Sequence, residues 1–98
     1  MTEQDYDPEY KKLPMWDQLG KILDSQENPF PRNWVETDDG DKIVGISPKD
    51  AMDIRKVLIL IEKPSVRKEL LNSIQTTKGL NTVLKYVRSA PNAFKNLN

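Results

Sequence analysis

Four groups of side chains in this 98-residue sequence combine residue types and spacings that could do chemistry. The first is Lys78, Asn81, Lys85 and Arg88, at intervals of 3, 4 and 3. At about 100° per residue these lie in one helical stripe, away from the apolar Leu80, Val83, Leu84 and Val87. Asn and Arg are the side chains that read adenine and guanine edges, and Lys contacts phosphate. With Arg67 and Lys68 on the preceding helical segment, and a short turn between, the arrangement resembles a helix-turn-helix whose last helix enters a major groove. The plainer reading is the solvated outer face of an amphipathic helix. The glycine usual in such a turn is missing, since Gly79 falls just inside the following helix.

The second group is the acidic turn Asp38-Asp39-Gly40-Asp41, with Glu36 nearby. Clustered carboxylates suit a hard cation, but the calcium-loop pattern fails. With Gly40 at its sixth position, Val35 and Ile46 would stand where acids are required. Turn residues chosen for backbone conformation and solubility are the better reading, and no metal is expected.

The third group is aromatic: Trp16, Phe30 between Pro29 and Pro31, and Trp34. Such residues anchor protein interfaces, and in a small domain they also build cores. Trp16 is expected in the core and Phe30 packed onto it. Any one of the three left exposed would mark a protein-binding surface.

The fourth is the uneven distribution of charge. Residues 1–61 hold thirteen Asp and Glu against eight Lys and Arg, while residues 62–98 hold seven Lys and Arg against two Glu, so the formal net charge is zero. The halves could face each other, the second half could face a polyanion, or the acidic start could cover the basic helices and compete with a ligand.

Other chemistry lacks its parts. There is no Cys and no His, so disulfides, thiol or imidazole catalysis and the usual zinc, haem and iron–sulfur ligands are excluded. Gly20, Gly40, Gly45 and Gly79 are isolated, and neither a phosphate loop nor a dinucleotide fingerprint exists. A non-enzymatic chain without a cofactor is expected. The polar, acidic start does not resemble a signal peptide, and Val57 to Ile61 is too short an apolar run to span a bilayer. A cytoplasmic protein with no membrane partner is expected.

These groups need elements to position them. Trp16, Leu19, Ile22 and Leu23 predict a helix over 14–25 opened by Pro14 and weakened by Gly20. Asp39-Gly40 between β-prone runs predicts a hairpin over 34–46. Ser47, Pro48 and Asp50 are N-terminal signals for a helix over 47–62, apolar on nearly all sides of its second half and so expected to be the most buried element. Pro64 breaks the chain, and further helices follow over 65–75 and 77–89, the last capped by the Thr76-Thr77 turn. The fold expected is mainly α: a small four-helix domain over 14–90 with one hairpin between helices 1 and 2, a flexible acidic tail over 1–13 and a C-terminal tail over 91–98. Its expected core is Trp16, Leu19, Leu23, Ile54, Leu58, Ile61, Val66, Leu70, Ile74, Leu80, Leu84 and Val87.

The leading functional expectation is a regulatory or adaptor module that binds another protein. The alternatives are a DNA-binding regulator using the basic last helix, and a structural assembly subunit. Oligomeric state is not encoded in any of these features.

Overall fold

The computed structural model describes residues 12–89; residues 1–11 and 90–98 lie outside it, and with them most of both tails. Its elements run α1 (Met15–Asp24), β1 (Trp34–Glu36), β2 (Lys42–Val44), α2 (Pro48–Leu60), α3 (Pro64–Ser73) and α4 (Thr77–Ser89). Four helices and an antiparallel hairpin between the first two are the architecture that the sequence predicts, with ends displaced by one or two residues.

Local signals explain most of the boundaries. Ser47 accepts a hydrogen bond from the Asp50 N–H at 3.0 Å, and the Asp50 carboxylate accepts from the Ser47 N–H at 3.1 Å. This reciprocal box satisfies two donors at the start of α2. Thr76 supplies a simpler cap for α4, its hydroxyl accepting from the Gly79 N–H at 3.1 Å. In the hairpin, Val35 pairs with Ile43, and Gly40 closes the turn at φ 89°, a left-handed conformation that favours glycine.

The core is Met15, Leu19 and Ile22 of α1, Val35, Ile46, Ala51, Ile54 and Leu58, with Ile74 and the apolar face of α4. Each large aliphatic side chain buried here contributes about 1.5–3 kcal/mol. Several expected core residues sit at its margin. Trp16, Leu23, Ile61 and Leu70 are only half-buried, and Val66 is 43% exposed. For Val66 and Leu70 the reason is α3, which buries none of its residues fully and lies along the edge of the other helices. On α2, the extra apolar residues are surface: Met52 is 56% and Ile59 64% exposed. Phe30 does not pack on the core; it is 93% exposed. The Ser25 hydroxyl binds the Arg32 N–H at 2.8 Å, pinning the two ends of the intervening loop, and its residues from Gln26 to Pro31 stand outward.

A two-stranded sheet is marginal by itself. Here a buried glutamine holds it. Gln18 Oε1 accepts from the Glu36 N–H at 2.7 Å, and Gln18 Nε2 donates to the Glu36 carbonyl at 2.9 Å and the Leu13 carbonyl at 2.8 Å. One carboxamide thus mimics the peptide group of a neighbouring strand and seals the outer edge of β1. The far end of the hairpin is tied to the α3–α4 turn and to α4: the Asp38 N–H reaches the Gln75 carbonyl at 2.7 Å, and Thr37 and Thr77 share a hydroxyl contact at 2.8 Å.

Two stability predictions follow from this packing. Gln18→Leu should cost about 2–4 kcal/mol, because it leaves three backbone groups without their acceptor or donor; chemical denaturation measures this, and an unchanged midpoint would contradict it. Gly79→Ala should destabilise comparably, since a Cβ there would lie 1.9 Å from the Ser73 carbonyl oxygen; a thermal melt no lower than that of the parent chain would contradict that close approach.

Candidate protein-interaction surface

An open and largely apolar groove lies where α1 meets α2. Trp16 and Leu23 of α1 and Met52, Arg55, Lys56 and Ile59 of α2 line one open groove. A second groove joins it at Trp16 and Ile59 and runs on to Arg67 and Leu71 of α3. Spacings of 7 on α1 and 7 on α2 put each pair of apolar residues on one helical face.

Arg55 organises this face. Its guanidinium lies 4.1 Å from the centre of the Trp16 ring, a cation–π stack. Gly20 leaves room for it: a Cβ there would come within 3.1 Å of Arg55 Nη2. The Arg55 Nε is buried without a hydrogen-bond acceptor. Among the described residues no carboxylate bridges this guanidinium. The face therefore offers apolar area around a cation whose charge is not neutralised, and a carboxylate brought to it would find that charge in partly dry surroundings.

The basic residues singled out in the sequence divide into two sets. Arg88 and Arg67 are engaged inside the domain. Arg88 grips Asp50 with Nη2 at 2.7 Å and Nε at 3.2 Å, and its Nη2 also reaches the Gly45 carbonyl at 3.1 Å. Burial works to raise the Asp50 pKa, but the Arg88 hydrogen bonds and charge, with those from Ser47, outweigh it and hold the carboxyl below its ordinary value. The same hydrogen bonds, donated to Asp50, raise the Arg88 pKa further. Arg67 donates from Nε to the Leu58 carbonyl at 3.1 Å and from Nη2 to the Ile61 carbonyl, closing the C-terminal end of α2.

Lys68, Lys78, Asn81 and Lys85 are exposed. The last three run along α4, and Lys78 edges a groove with Leu70, Val83 and Tyr86. Arg67 instead faces the groove at Trp16 and Leu71, so the six residues do not form one continuous patch.

The three aromatics also separate. Trp16 belongs to the face just described. Trp34 is half-buried between cations, with Arg32 3.9 Å and Lys42 4.5 Å from its ring centre. Phe30 projects from its loop between two prolines, far from Trp16 in sequence and absent from the grooves that Trp16 lines.

The acidic turn has a structural task that spacing alone did not reveal. Asp39 Oδ1 accepts from the Thr77 N–H at 3.3 Å, and Asp41 Oδ2 accepts from the Thr77 hydroxyl at 2.6 Å. Carboxylates at the start of α4 complement its dipole. Asp38 pairs with Lys12 at 2.7 Å. Among the described residues no group of three or more acids is arranged to hold a metal ion.

Arg55, Met52 and Ile59 were not among the sequence candidates. Their signal was present: residues 52, 55, 56 and 59 form a second 3–4 periodicity on α2 beside Ile54, Leu58 and Ile61. The apolar character around the helix pointed to burial rather than to two faces. No described helix is long and apolar enough to cross a membrane. Family models, curated proteins and solved structures contain no match to this chain.

The Asp50 site generates a pH prediction. A carboxyl whose pKa is lower folded than unfolded contributes stability that is complete above the unfolded value, about 3.9. That contribution is lost as pH falls through the lower folded value. Asp50→Asn should therefore cost about 1 kcal/mol at neutral pH through the weakened cap and bridge. It should also flatten the acid limb of the melting-temperature profile. Parallel acid limbs for the two proteins would contradict the bridge.

Proposed function

We propose that this chain is a non-enzymatic regulatory or adaptor module that binds another protein through the α1–α2 face. The observation that carries the reading is the exposure of Met52 and Ile59 on either side of the Trp16–Arg55 stack. Apolar residues a full turn or two apart on a helix surface, with a cation between them, suit an amphipathic segment laid into the groove. The unbridged guanidinium selects for acidic residues along that segment. Trp and Arg are the residue types that most often dominate such contacts.

A second reading rests on Lys78, Asn81 and Lys85, which are exposed along α4 and suit phosphate and base contacts. It is the weaker of the two because Arg67 and Arg88 already serve the fold, leaving fewer cations for a polyanion.

Peptide display against the full chain tests the first reading. Selected binders should combine acids with apolar residues at spacings of 3 and 4. Met52→Glu with Ile59→Glu should weaken them at least about tenfold while the melting temperature changes little, as both sites are exposed. Binders indifferent to the double change would overturn the reading. Duplex-DNA anisotropy at low salt tests the second: binding that Lys78→Glu with Lys85→Glu abolishes would establish it, and no binding would remove it.

A further inference from the structure

The α1–α2 face also has an occupant within the same chain. Four acids, Glu3, Asp5, Asp7 and Glu9, precede the described residues, interleaved with Tyr6 and Tyr10. We propose that this N-terminal segment folds back onto the Trp16–Ile59 face as a tethered competitor that a protein partner must displace. The proposal rests on the reading of that face as a binding site and adds its regulation.

Three observations support it. The first is charge. Elsewhere in the domain, Lys12, Lys49 and Arg88 each hold a carboxylate at 2.7 Å. Arg55 holds none among the described residues, and Arg67 is bonded to carbonyl oxygens, which leave its charge in place. The Arg55 and Arg67 charges thus stand against the acids of residues 3–9.

The second is position. The chain enters α1 with Lys12 fixed to Asp38 and the Leu13 carbonyl fixed to Gln18. Trp16 follows in the first turn of α1, so the segment is tethered beside one end of the groove. Nine residues back from Lys12 can span about 30 Å when extended. The stretch of α2 from Met52 to Ile59 rises only about 10 Å. Reach is therefore sufficient.

The third is chemistry. Tyr6 and Tyr10 are four apart and flanked by acids, the combination that the face selects: rings to lie against Trp16, Met52 and Ile59, and carboxylates for Arg55. A short tether gives an effective concentration of about millimolar order, so a contact with a dissociation constant well below that keeps the face covered. A partner then binds with its affinity reduced by the covered fraction.

The chain has no cysteine, so a single Gln4→Cys carries one nitroxide label cleanly. Amide spectra of the full chain would be recorded with the label oxidised and reduced. The proposal predicts that amides of Met52, Arg55 and Ile59 lose intensity at least about twofold, while that of Lys85 does not. It also predicts that the loss disappears when Glu3, Asp5, Asp7 and Glu9 are changed together to their amides. In that amide variant, display-selected peptides should bind more tightly than in the parent chain. Groove amides that keep their intensity while the selected peptides still bind would overturn the tether and leave the binding face standing. Peptides that never respond to Met52→Glu with Ile59→Glu would overturn both.

Discussion

The structure depends on one side chain that behaves as backbone. Gln18 sits on a helix, yet it presents a donor and an acceptor to Glu36 as an adjacent strand would. Two three-residue strands have too little pairing to persist unaided, and their outer edge would otherwise attract another chain. By docking β1 on α1, Gln18 fixes the hairpin. The hairpin's acidic turn in turn meets the start of α4 through Asp39, Asp41 and Thr77. Polar contacts at each end therefore connect α1 to α4 through the sheet. Between them the core of Leu19, Ile22, Val35, Ile54 and Leu84 closes without a disulfide.

The arginines show how the same side chain acquires different work from its surroundings. Arg88 finds a carboxylate that is already part of a helix cap, and Arg67 finds the open carbonyls at the end of α2. Both satisfy groups that would be costly to leave unpaired. Among the described residues, Arg55 finds an aromatic ring and the space left by Gly20. The outward consequence is a surface in which the basic stripe on α4 is thinner than its sequence suggests. The α1–α2 face, by contrast, carries apolar residues and an unmatched cation together.

Much of the fold was legible because its signals are local. Ser47, Pro48 and Asp50 define the start of α2 by chemistry confined to one turn, and Gly40 defines the hairpin turn by conformation alone. The outcomes that were not legible depend on long-range partners. Gln18 reads as a polar residue on the outside of a helix until Glu36, 18 residues away, is brought beside it. Phe30 reads as a core anchor until the Ser25–Arg32 contact turns its loop outward. The apolar character of Val66 and Ile59 was plain, but burial depends on what lies opposite, and α3 lies at the edge. For the site, Trp16 was visible by type, whereas its pairing with Arg55 required the crossing of α1 over α2.

Native-state hydrogen exchange across the full chain tests the central claim most directly, that Gln18 locks the hairpin to the helical core. The account predicts that the Glu36 amide exchanges only with opening of the whole domain, as slowly as the amides of Leu19 and Ile54, while those in the first turn of α3 exchange faster. A Glu36 amide that exchanges at the rate of an unprotected loop, with α1 still protected, would show that the hairpin opens independently and would contradict it.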